Sequence, residues 1–181
     1  MRVLVIGDTH VPEEAEKIPE EFLDEAEECD LVICTGDLTD EGVLEELEER
    51  TPVRAVRGEE DYLELPEQDL VRVEDTKIGV VHGHQLEDGG LGERRAEWEM
   101  EGDENEEEEI DRFVELAEML KVDVLVTGHT HKPFRTEKEG VVLLNPGSAT
   151  GVGAEKGTCI VLEVQGTELV NSEILTAGKK E

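Results

Sequence analysis

A chain of 181 residues with 49 Asp plus Glu against 17 Lys plus Arg carries a formal net charge of −32. Such a surface repels a nucleic-acid backbone, whose affinity comes from cationic side chains neutralising phosphates, so nucleic-acid binding through a basic patch is excluded. No apolar run reaches the roughly 18 residues a membrane span needs, and "MRVLVIGDTH" lacks the cleavage pattern of a signal peptide. The expectation is a soluble, cytoplasmic protein with no membrane partner.

The charge also bears on stability. Like charge at this density strains a compact state at ordinary ionic strength, and molar salt, with its Debye length of about 3 Å, removes most of that strain. The composition therefore reads as that of a halophile's protein. Dense Val, Leu and Ile runs speak against disorder, and only the acidic stretch at residues 97–111 is expected to be mobile. Cys29, Cys34 and Cys159 form no CxxC pair and read as buried thiols.

In chain order, "RVLVIGDTH" is an apolar strand running into a Gly-containing turn, and "PEEFLDEAEECD" spaces Phe22, Ala26 and Cys29 for one helix face. "LVICTGDLTD" repeats the strand-then-Gly-Asp pattern, and "DEGVLEELEER" follows as a helix with Asp40 at its N-cap. "PVRAVRGEED" is a third strand, and "KIGVVHGHQ" a further one that ends in His82 and His84. This alternation predicts an α/β sheet with its working loops at the carboxyl ends of the strands. Ile110, Phe113, Val114, Ala117 and Leu120 form a helical stripe before the strand "VDVLV". "GVVLLNPGSATG", "GTCIVLEVQG" and "TELVNSEILT" then read as strands in succession. We expect one domain over residues 1–181, with an acidic insertion near 90–109.

Five strand ends carry polar clusters: Asp8 and His10, Asp37, Glu59 to Asp61, His82 and His84, and His129 and His131. All five histidines of the chain lie in these clusters. In extended backbone His129 and His131 point the same way, and paired imidazoles suit a transition metal. One Gly-Asp after a strand is more often an Asx turn, and one histidine more often a packed group, than a ligand. Five clusters at equivalent strand ends are different, because they concentrate carboxylates and imidazoles at one sheet edge where cations relieve the charge. The mixed N and O donors suit Mn, Zn, Fe, Co or Ni better than Mg or Ca, with manganese the first expectation.

The ordered motifs GDTH, GDLTD, the G-x-x-D of "GEED", HGH, GHTH and "NPGSATG" resemble the calcineurin-like metallophosphoesterases, in particular their YfcE-type phosphodiesterase branch. The resemblance covers the chain outside the acidic insertion and implies an αββα sandwich, two packed mixed β-sheets flanked by helices. It implies that Asp8, His10, Asp37 and His131 bind one divalent ion, and that Asp37, Glu59, His82 and His129 bind a second, with Asp37 bridging. Two such ions, about 3.5–4 Å apart, activate a water for phosphodiester hydrolysis. Asp37 and His84 are then the catalytic side chains, although His84 has an equal claim to satisfying a local backbone group.

Glu59 stands where the family usually has a neutral Asn, and Glu60 where a histidine often follows. The added charge of Glu59 weakens Lewis acidity, so a slow enzyme is expected, and a carboxylate at Glu60 repels an anionic phosphate. "VRGEED", "PEQ", "KIGVVHGHQ", "GHTHKPF" and "NPGSATG" are similar also to the retromer vacuolar-sorting subunit twenty-nine branch, which carries a carboxylate at the Glu59 position. That similarity implies the alternative: a metal-binding scaffold with a protein partner and little or no catalysis. Asn145 is expected to fix a turn, Trp98 to anchor the insertion, and the Glu run at 106–109 to be a solvated helix start.

Overall fold

The computed structural model describes residues 1–87 and 106–178; Trp98 and most of the acidic insertion lie outside them. Among the described residues, ten strands form two five-stranded sheets. β1 (Arg2–Ile6), β2 (Leu31–Cys34) and β3 (Val53–Ala55) run parallel, and β9 (Thr158–Gln165) and β10 (Glu168–Thr176) complete the first sheet in the order β10-β9-β1-β2-β3. The second has the order β4-β5-β6-β8-β7, with β5 (Thr76–Val81), β6 (Val124–Val126) and β8 (Val141–Asn145) parallel at its centre. Its antiparallel edges are β4 (Gln68–Val73) and β7 (Phe134–Lys138). Both sheets are mixed, as the motif resemblance implies.

The apolar runs are continuous because the central strands are covered on both faces. In β1, Leu4 and Ile6 join Phe22, Leu23 and Ala26 of α1 (Glu20–Glu27) and Val43 and Leu47 of α2 (Glu41–Glu48). Val3 and Val5 instead meet Ile78, Val80, Val124 and Leu144 of the other sheet. The far face of the second sheet, through Leu125 and Leu143, packs on Phe113, Val114, Leu116 and Ala117 of a long helix, Glu106–Leu120. A short helix at His84–Glu87 precedes it; these two are α3 and α4 in chain order. Each fully buried Val, Leu or Ile in these layers contributes about 1.5–3 kcal/mol of transfer free energy.

Local expectations hold with adjustments. Asp40 caps α2, its carboxylate accepting from Gly42 N at 2.8 Å. α1 stops at Glu27, so Cys29 is buried in the turn after the helix, and Leu23 takes its place on the face. All three cysteines are buried free thiols. The spacing pattern above passes over β4 and β7. Both are edge strands, and only alternate residues of β4 reach the core, as in Val71 and Val73. No helix among the described residues is long and apolar enough to cross a membrane.

Candidate metal centre

The clustered loops meet at one place, but they do not come from a single sheet edge. Those after β1, β2 and β3 leave the first sheet, those after β5 and β6 the second, and the seam between the sheets becomes the floor of the site. Asp8, Asp37 and His82 lie on that floor, essentially without exposure. His82 Nε2 is 3.0 Å from Asp37 Oδ2 and 3.9 Å from Asp8 Oδ1. His10 and His131 approach from one side, their Nε2 atoms 3.1 Å apart and that of His131 3.5 Å from Asp8 Oδ1. On the other side His129 Nδ1 is 3.2 Å from Glu59 Oε1.

Four overlapping groups result, each with ligand atoms within 4.8 Å of one another: Asp8, His10 and His131; Asp8, Asp37 and His82; Glu59, His82 and His129; and, at the rim, His10, Glu14 and Glu60. All seven residues expected as ligands are therefore brought together. His84 stands beside them, its ring centroid 5.3 Å from that of His82 and 6.3 Å from that of His129. Its Nδ1 is buried without a hydrogen-bond partner.

Holding these side chains requires unusual backbone. Asp8, His10, Asp37, His129 and His131 have φ of +49°, +48°, +51°, +69° and +56°. The left-handed region costs a non-glycine residue about 1–2 kcal/mol, and such strain persists only where the surroundings over-determine it. Asp61 supplies much of that constraint. Its buried carboxylate accepts from the backbone N–H of Asp37 (2.9 Å), Thr39 (2.7 Å) and Gly58 (2.8 Å), tying the loop after β2 to the loop after β3. Gly58 allows the close approach, since a Cβ there would fall inside the Asp37 carboxylate.

The segment after β8 clamps the other loops. Asn145 Nδ2 donates to Gly128 O at 2.7 Å and to Thr130 Oγ1 at 3.2 Å, and its Oδ1 accepts from Gly147 N at 2.8 Å, so it pins the histidine loop as well as its own turn. Ser148 Oγ and Thr150 Oγ1 donate to Asp8 O and Thr9 O, both at 2.8 Å. Sequence reasoning found the motif here but not this clamping role.

The donor set fits divalent cations on two observations. Asp8 Oδ2 is buried with no hydrogen-bond partner, and so is His82 Nε2, which faces carboxylates without alignment for a hydrogen bond. The ring tautomers assigned from their partners supply the second. His131 Nδ1 donates to Val152 O at 2.7 Å and His10 Nδ1 to Glu60 Oε2 at 3.1 Å, so both Nε2 lone pairs face each other at 3.1 Å. That juxtaposition is repulsive unless a cation shares it.

With no metal bound, a proton on His82 offsets part of the carboxylate charge on the floor. Burial opposes charge on His82, but contact with Asp37 and Asp8 and the hydrogen bond from Nδ1 to Thr35 O outweigh it and raise its pKa to about 9. His131 is raised chiefly by Asp8, against burial. Burial pushes the Asp37 carboxyl up, yet His82, the Glu60 N–H and His10 hold it below the usual range. His84 is lowered, first by burial and then by the charge of His82, and so is neutral near pH 7.

The chain's residues 1–167 match the model of the calcineurin-like phosphoesterase superfamily domain, and the protein belongs to that family. A relative in Methanothermobacter thermautotrophicus, described as a probable metallophosphoesterase, is 35% identical over 98% of this chain and 94% of its own. Another so described, from Methanocaldococcus jannaschii, is 37% identical over 83% of this chain and 69% of its own. Among solved structures, wild-type Vps29 of Entamoeba histolytica in complex with zinc superposes with a TM-score of 0.75 at 32% identity, over 98% of each chain. Family and relatives together support a metal-dependent phosphoesterase.

Proposed function

We propose that the protein hydrolyses phosphodiesters at a centre of two divalent transition-metal ions, with manganese ahead of Zn, Fe, Co and Ni. The observation that carries this reading is the unpartnered, buried Asp8 Oδ2 beside two imidazoles whose Nε2 atoms face each other at 3.1 Å. Asp8, His10, Asp37 and His131 would hold one ion, and Asp37, Glu59, His82 and His129 the other, with Asp37 shared. Bound ions supply positive charge to the phosphate and a lowered pKa to water.

The chain's own residues shape the substrate class. Glu14, Glu59 and Glu60 stand half exposed around the histidines and add negative charge to the rim. They disfavour a dianionic monoester more than a monoanionic diester, since repulsion scales with the product of charges. His84, neutral and with Nδ1 unpartnered, offers a hydrogen bond to a phosphate oxygen. The test is turnover of a bis-aryl phosphodiester against the matching monoester, with added Mn2+ in molar salt. Metal-dependent cleavage favouring the diester supports the reading.

Absence of any metal-dependent turnover transfers the function to a metal-binding, protein-interaction scaffold. The zinc-bound Vps29 neighbour and the carboxylate at Glu59 favour that second reading. We read residues 1–181 as one cytoplasmic domain with an acidic insertion near 90–109, supported by the apolar layer the two sheets share. The net charge of −32 supports adaptation to high salt. Its melting temperature should rise between about 0.1 M and about 2 M KCl as the Debye length shortens.

A further inference from the structure

We infer that Glu60 is a positioning residue for His10: its carboxylate accepts the Nδ1–H of that imidazole and so turns Nε2 toward Asp8 and His131. The inference rests on the metal-centre reading above. His82 and His131 are each oriented by a backbone carbonyl, Thr35 O and Val152 O, at 2.7 Å. His10 has no carbonyl in that place. Its buried Nδ1 meets Glu60 Oε2 at 3.1 Å, with Glu14 Oε1 farther away at 3.6 Å.

Glu60 is itself well placed to act as an anchor. Its backbone N–H donates to Asp37 Oδ1 at 2.9 Å, and its neighbour Asp61 locks the same loop to the backbone of Asp37 and Thr39. The carboxylate is therefore attached to the residue at the centre of the site rather than to a free loop. A carboxylate partner raises imidazole basicity more than a neutral carbonyl does. The Asp8, His10 and His131 position is thus the one that Glu60 strengthens. Glu60 consequently serves the metal side of the centre, at a position where direct contact with an anionic phosphate would be unfavourable.

The test uses the full chain in wild-type, E60A, E60Q and E14Q forms. Zn2+ is titrated against a chromophoric chelator, and the ring N–H signals of the Zn2+-loaded proteins are recorded by 1H–15N NMR. E60A should weaken one Zn2+ step by about 10–100-fold and lose the exchange-protected His10 Nδ1–H signal. E60Q keeps an acceptor, so it should retain that signal and recover most of the affinity, while E14Q should stay near wild type. An E60A protein with wild-type affinity and an intact protected signal overturns the inference while leaving the metal centre standing. A wild type that takes up no Zn2+ overturns both. Glu60 is half exposed, so truncation should spare the core. Should E60A nonetheless unfold, E60Q decides, and a folded E60Q without the protected signal overturns the inference.

Discussion

The floor and the rim of the site are built on opposite principles. Asp8, Asp37 and His82 are buried at the seam between the sheets, where uncompensated charge is most costly and geometry most rigid. Glu59, Glu60 and Glu14 stand half in solvent, where charge is cheap and screening strong. The floor is thus the part that demands a cation, and the rim is the part that tunes what the cation does. Substitutions in the two regions should differ in degree: loss of the centre below, weakened metal binding or altered rate and preference above.

The largest effect should come from Asp37→Asn, which removes the charge proposed to be shared while keeping shape. Metal-dependent diester turnover should fall to background with the far-UV circular dichroism unchanged, and residual metal-dependent turnover would place the bridge elsewhere. Asp61→Ala should follow. It leaves three backbone N–H groups without their acceptor, so stability by urea denaturation should drop by roughly 4 kcal/mol. A loss below about 1 kcal/mol would mean that Asp61 does not hold the floor.

The metal-free protein offers a third probe. The His82 pKa is raised from 6.5 to about 9 on folding, so its stabilisation is complete below about pH 6.5 and lost as pH rises through about 9. Urea titrations of chelator-treated protein should therefore show a decline on the order of 3 kcal/mol across that window. Adding Zn2+ should suppress the decline, because the metal then replaces the proton on Nε2. Equal pH profiles with and without metal would contradict the floor's need for a cation. The smallest effect belongs to the rim: Glu59→Asn should raise the rate on the order of a few-fold by restoring positive charge, with metal stoichiometry retained. A variant that keeps its metal yet turns over more slowly would give Glu59 a direct part in the chemistry.

The clusters were legible in the sequence because each follows an apolar strand whose length and period are local properties. The runs "RVLVI", "LVIC" and "VDVLV" declare strands covered on two faces, and the polar residues after them stand at carboxyl ends by chain direction alone. Asp40 and the stripe of α4 were readable for the same reason, since capping and helical periodicity involve neighbours three or four residues apart. β4 and β7 were not. "QDLVRV" and "FRTEK" are largely polar and lie half in solvent, so no apolar run marks them as strands.

Tertiary structure alone decided what lies across from what. His10 and His131 are 121 positions apart and His82 stands 47 positions from the carbonyl that orients it, distances over which no local pattern carries information. The split of the five loops between two sheets and the hold of Asp61 on the loop of Asp37 arise only when the sheets pack. So does the meeting of Glu60 with His10. The residue types that make metal chemistry attainable are written in order along the chain. Their convergence depends on burial of the apolar layer between the sheets, which brings those strand ends together and removes the water that would otherwise neutralise them.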